Sequence, residues 1–144
     1  MSHATYAGIG NRVLPEETRF ELRMIAYSMS RLGWSLRTGG AEGADRAFMD
    51  GHGAARVEVF GPEDATDAAM AMAATYHPAW WACDDHARRL LGRNAQIILG
   101  RNLDDPVAAV LAYAADKTRG GTALGMRIAR AHGIPAVNLA ARWS

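Results

Sequence analysis

The chain has a single cysteine, Cys83, so no internal disulfide can form and a reducing, cytoplasmic setting is expected. It has almost no excess of charge: sixteen Lys and Arg stand against fifteen Asp and Glu, for a net charge of +1. No overall field draws it to a polyanion, so any nucleic-acid contact must come from a local patch. Neither a charged-then-apolar leader nor a long apolar run opens it, and neither a secretory nor a membrane-bound protein is expected. Internal repeats, low-complexity tracts and linkers are missing too, and 144 residues leave no room for a second full domain. What remains is a chain that is 49% hydrophobic, enough to bury the core of one domain over residues 1–144.

Strand-like and helix-like segments alternate along it. Tyr6 to Ile9 is a short apolar run ending in Gly10, which suits a buried strand. Pro15, Glu16 and Glu17 open a helix whose stripe Leu22, Ile25, Met29 and Leu32 runs to Gly33. Trp34 to Thr38 reads as a second strand that enters a glycine turn and a small-residue helix up to Gly51 or Gly53. Val57 to Phe60 is a third strand, followed by helices over Ala65 to Tyr76 and Asp84 to Leu99 with a turn at His77-Pro78. Val107 to Tyr113 is a fourth strand, Gly120 opens a helix to His132, and Ile134 to Leu139 is the last strand. This order predicts a three-layer, Rossmann-like α/β domain with a mostly parallel sheet of about five strands. In such sheets ligands bind beyond the carboxyl ends of the strands, where the glycine turns fall.

Thr38-Gly39-Gly40-Ala41-Glu42-Gly43-Ala44-Asp45 places three glycines where a strand becomes a helix. Glycine admits close ligand approach, and a helix start offers free N–H groups to a phosphate or ribose; a plain tight turn is the alternative. Gly120-Gly121-Thr122 repeats the design, with Thr122 either capping the helix or meeting a phosphate. Two such turns converging on one crevice favour a nucleotide-type pocket over two unrelated structural turns. Asn11 and Arg12, after Gly8-Ile9-Gly10, can contact ligand oxygens or stand in an ordinary turn, and Arg37 leads into the first glycine turn.

On the Asp84 to Leu99 segment, Arg89, Arg93 and Gln96 form a polar stripe that reads as a solvated face, while Leu91, Ala95 and Ile98 form the apolar one. Asn94 lies among Leu90, Leu91, Ile97 and Ile98, where an amide needs partners, and can brace a neighbouring glycine turn; Arg93 either reaches a phosphate or lies on the surface. Asp45 and Glu42 complement a helix start and suit a ribose hydroxyl or base amine better than a phosphate; Asp116 is a similar candidate. His77, Cys83, Asp84, Asp85 and His86 match no zinc spacing, so no metal and no organic cofactor is expected. Trp80 and Trp81 either stack on a base or pack in the core or a dimer.

In their order, Gly8-Ile9-Gly10-Asn11-Arg12, the Gly39 to Asp45 loop, Arg93-Asn94 and Gly120-Gly121-Thr122 resemble the SLOG superfamily over nearly the whole chain. The pattern is most similar to its DNA-processing protein A (DprA/Smf) branch in a stand-alone, phage-type version, and more distantly to the lonely-guy (LOG) phosphoribohydrolases. The resemblance implies a phosphate pocket of Gly10, Arg12, Gly39, Gly40, Gly43, Asp45, Arg93, Asn94, Gly121 and Thr122, and by analogy a homodimer or higher homo-oligomer. The flanking modules of full DprA proteins have no place in this length. Where the phosphoribohydrolases carry a catalytic glutamate this chain has Leu124, so N-glycosidic chemistry needs Asp45, Glu42 or Asp116 instead.

Three functions follow as expectations. The first is binding of a nucleotide or nucleotide-derived signal, sensed or sequestered without chemistry. An N-glycosidase or deoxyribosyltransferase acting on a nucleotide is the second. Third is a DprA-like single-stranded DNA-binding module using Arg12, Arg37, Arg89, Arg93 and Arg119.

Overall fold

In the computed structural model, residues 4–116 and 120–140 are described. Strands β1 (Thr5–Gly10), β2 (Ser35–Thr38), β3 (Val57–Val59), β4 (Ala109–Tyr113) and β5 (Ala136–Asn138) form a sheet in the order β3-β2-β1-β4-β5. Every pairing in it is parallel, so each strand must be reached by a crossover. Helices α1 (Glu16–Arg31), α2 (Ala44–His52), α3 (Asp67–Tyr76), α4 (Asp85–Leu99) and α5 (Gly120–Ala131) supply the crossovers.

The strand pleat sorts the core into two layers. On β1, Tyr6 faces α1 and α2 with Leu22, Ala26, Leu36, Ala47 and Phe48. Ala7 and Ile9 point the other way, into a larger cluster with Ala73 of α3, Leu91, Ala95 and Ile98 of α4, and Leu124 and Ile128 of α5. The result is the three-layer, Rossmann-like α/β architecture expected from the alternation.

The order 3-2-1-4-5 also fixes where the sheet reverses direction of growth. From β1 the chain builds outward through β2 and β3, then returns to place β4 on the opposite side of β1. The crossovers on either side of this β1/β4 seam leave towards opposite faces, which opens a crevice at the carboxyl ends. Pairing along the seam runs to the last residue, Gly10 opposite Tyr113, and the Asn11 N–H donates to the Tyr113 carbonyl at 2.9 Å. The two exits are therefore held level.

Three expectations change. Leu32 is 74% exposed because α1 ends at Arg31; the buried stripe is Leu22 and Ala26 with Ile25 and Met29 beside it. Arg93 and Gln96 are buried, not solvated, because α4 is covered on a second side by the Pro62–Asp64 turn and α3. Backbone carbonyls receive both heads: Gln96 Nε2 donates to Asp64 O at 2.9 Å and Arg101 O at 3.2 Å. Finally, a short 3-10 turn at Trp80–Ala82 precedes α4, leaving Trp81 exposed while Trp80 packs against the core and under the Arg88 guanidinium.

Candidate functional site

A cavity of about 650 Å³ opens at the β1/β4 seam. Its floor is the exit of β1, Ile9 to Val13, and one wall is the first turn of α5, Gly120 to Thr122. The leading N–H groups of that turn have no carbonyl to bond within the helix, so this wall carries positive potential. Facing it is the α4 surface formed by Ala87, Leu90, Leu91 and Asn94, one helical face at steps of three and four. His77 and Cys83 close the apolar end, and Asp116 sits at the margin.

Beneath the cavity, Asp45 and Arg93 tie three strand exits together. The Ala41 N–H donates to Asp45 Oδ2 at 3.2 Å, closing the glycine loop over the start of α2. Arg93 Nη1 donates to Gly39 O at 3.0 Å and to Phe60 O at 3.1 Å, joining the loops after β2 and β3 to α4. A side chain at Gly39 has no room: its Cβ would lie 2.7 Å from Arg93 Nη1 and 2.9 Å from Asp45 Oδ2. Burial dominates the titration of both groups. It pushes the Asp45 carboxyl up to about 6, against the smaller pull of the Ala41 amide, the Arg93 charge and the Gly39 and Gly10 amides. Burial also lowers Arg93 from its ordinary value, while the Asp45 charge works in the opposite direction.

Two further contacts shape the seam. The Asn11 carbonyl accepts from the Ala44 N–H at 2.9 Å, and its side-chain Oδ1 accepts from the Ala115 N–H at 3.3 Å. Asn94 Nδ2 lies against Gly121 so closely that a Cβ there would overlap it, and among the described residues the Asn94 amide makes no hydrogen bond. Asn94 thus packs on the second glycine turn without a hydrogen bond to it, and its polar atoms stay available to the cavity. Arg12 is exposed at the floor, with no hydrogen bond or ion pair among the described residues.

Of the residues singled out in the sequence, Gly10, Asn11, Arg12, Asp45, Arg93, Asn94, Asp116, Gly120, Gly121 and Thr122 line the cavity. Gly39, Gly40, Gly43, Glu42 and Arg37 do not. The first glycine turn is thus a backbone device under the cavity, reaching it only through Ala41 and Asp45: Gly39 lies against Arg93, Gly40 against Val59 and Gly43 against the Asn11-Arg12 backbone. Arg37 is occupied elsewhere, donating to Asp105 Oδ2 at 2.7 Å, Asp105 O at 2.6 Å and Glu58 Oε1 at 3.2 Å. The expected row of rim arginines is therefore not assembled: Arg93 is buried, Arg89 pairs with Asp85 at 3.1 Å, and Arg119 lies outside the described residues.

Sequence reasoning missed the apolar wall. Ala87, Leu90 and Leu91 share the helical face of Asn94, and an amide set among leucines was the available signal. His77 and Cys83 gave none for this place, because the 3-10 turn brings them there. His77 Nδ1 accepts from the Ala79 N–H at 3.0 Å, and Nε2 is 3.8 Å from Cys83 Sγ. Among the described residues no group of three or more His, Cys, Asp or Glu is placed to hold a metal ion. Leu124 is fully buried in the core.

No family model and no curated protein matches the chain. Among solved structures it is similar to DNA processing protein A from Helicobacter pylori, a protein described for a single-stranded DNA binding mode. The TM-score is 0.63 at 14% identity, with 92% of this chain and 63% of that chain covered. This chain thus spans under two thirds of its neighbour's length. Among the described residues no helix is long and apolar enough to cross a membrane. At that identity the likeness speaks for architecture alone, and this chain has the Rossmann-like fold found in DNA processing protein A.

Proposed function

We propose that the seam cavity binds a nucleotide-type ligand, sensing or sequestering it. The observation that carries this reading is the two-sided cavity itself. One side offers the α5 N-terminus and the exposed Arg12, which suit a phosphate; the other offers Leu90, Leu91 and Ala87, which suit a flat base. Between them Asp45 and Asn94 provide an acceptor and an amide for ribose hydroxyls or base edges. Calorimetry with nucleoside monophosphates and ADP-ribose tests it: binding is expected in the wild type and is weakened in Arg12→Ala. Absence of binding by every nucleotide tried refutes it.

A second reading, single-stranded DNA binding, is favoured by the structural neighbour. The nucleotide unit of a strand would use the same cavity, with Arg12 on its phosphate. Oligothymidine should then bind with an affinity that falls steeply between about 50 and about 200 mM salt, as counterions are released. If oligothymidine binds this way and mononucleotides do not, the DNA reading replaces the first. Should the pocket instead cleave N-glycosidic bonds, Asp45 and Asp116 are the carboxyls that line it, and burial pushes Asp45 up to about 6; release of free base, lost in Asp45→Asn or Asp116→Asn, is the sign.

A further inference from the structure

The apolar end of the seam cavity carries an imidazole whose orientation the backbone fixes. Pro78 disfavours a helical His77, so α3 stops at Tyr76 and the turn that follows brings His77 and Cys83 to the cavity together. Within that turn the Ala79 N–H donates to His77 Nδ1 at 3.0 Å. Only an unprotonated ring nitrogen accepts, so the neutral imidazole carries its proton on Nε2. Trp80 meets the ring edge-to-face at 6.1 Å and is itself held by Arg88, which lies 5.4 Å from the indole centre and donates to the Trp80 carbonyl at 3.1 Å. Turning the imidazole over to exchange its nitrogens would break the bond to Ala79. Nε2–H is therefore a fixed donor.

Among the described residues the partner of Nε2 is Cys83 Sγ, 3.8 Å away, and sulfur is a weak acceptor. The thiol proton is directed elsewhere, to Ala79 O at 3.7 Å. Beside the pair stand Ala87, Leu90 and Leu91, whose side chains offer no acceptor. A weakly matched donor at the end of an apolar wall selects a flat ring with an oxygen on its edge. Such an oxygen, about 2.9 Å from Nε2, gains a bond that sulfur does not supply, while an amino group in its place sets donor against donor. We propose that His77 makes the cavity selective for 6-oxopurine and 4-oxopyrimidine nucleotides, with the base on Leu90 and Leu91 and its keto oxygen on Nε2–H. Base selection of this kind rests on the nucleotide reading of the cavity and adds to it which bases are taken.

Calorimetry of the full chain with IMP and AMP, which share ribose and phosphate and differ at the 6-position of the base, tests the proposal. IMP should bind about tenfold or more tighter than AMP, and UMP should exceed CMP by a similar factor. His77→Gln, whose amide can turn to present either a donor or an acceptor, should abolish both preferences. A merely structural role of His77 would weaken all these nucleotides together and leave their ratios unmoved. Cys83→Ala, which removes the sulfur and keeps the imidazole, should retain the preference. Equal binding of IMP and AMP by the wild type, a preference that survives His77→Gln, or one lost in Cys83→Ala overturns this proposal alone. Absence of binding by every one of these nucleotides overturns it together with the nucleotide reading.

Discussion

Exchanging the buried carboxyl for an amide in Asp45→Asn is expected to alter how stability depends on pH. Asp45 is 6% exposed, and burial raises its pKa from 3.8 to about 6. Between those values the folded protein binds more protons than the unfolded chain, so Asp45 contributes stability at low pH that is lost as pH rises through about 6. At about 1.36 kcal/mol per pKa unit the whole loss is about 3 kcal/mol, of which about 2 kcal/mol falls between pH 4.5 and 7.5. The amide does not titrate, so the variant should gain about 2 kcal/mol on the wild type over that interval. Loss of the charge opposite Arg93 adds a constant offset, since the guanidinium stays protonated throughout. The difference between the two proteins also cancels His52, whose own titration has the opposite sign. Urea unfolding of both proteins at four pH values measures the slope. A difference that stays flat within about 0.5 kcal/mol, or falls with rising pH, would show that burial does not dominate Asp45.

Other changes probe the frame and the cavity separately. In the Asp45→Asn background, stability should fall as pH drops below 6.5: burial lowers the His52 pKa from 6.5, so the unfolded chain takes up the proton first. Tyr6→Phe, which removes the 2.8 Å contact to His52 Nδ1, should cost about 1 kcal/mol in urea unfolding at neutral pH. Gly43→Ala should cost about 2 kcal/mol or more, because Gly43 has φ +86° and its Cβ would overlap the Asn11 and Arg12 carbonyls; an unchanged midpoint refutes the packing argument. Arg12→Ala should leave the melting temperature unchanged while weakening nucleotide binding about tenfold or more by calorimetry.

Much of the architecture was legible because it rests on local periodicity. The steps of three and four in α1 and α4, the apolar runs of the strands and the glycines at the ends of β1 and β2 placed every helix and strand within a few residues of its observed bounds. Second-half positions of α4 misled for a clear reason. Arg93 and Gln96 have the spacing of a wet face, and nothing local reveals that the Pro62–Asp64 turn and the Gly39 carbonyl would cover them. The site was half legible: the residues after β1 and opening α5 line the cavity, but the glycines after β2 pack beneath it.

Alternation of apolar strands with amphipathic helices determined by itself that the sheet is parallel and layered on both faces, since only crossovers connect such strands. Chain order also marked which loops lie at the carboxyl edge. Only the tertiary structure decided that β4 returns beside β1, and this one step chooses the pair of loops that face each other across the crevice. It likewise decided that Arg37 serves Asp105 while Arg12 stands open at the floor. The physical reason is range. Backbone conformation and amphipathicity act over a few residues, whereas burial, counter-charge and cavity walls depend on partners up to about a hundred positions away, as between Asn11 and Ala115.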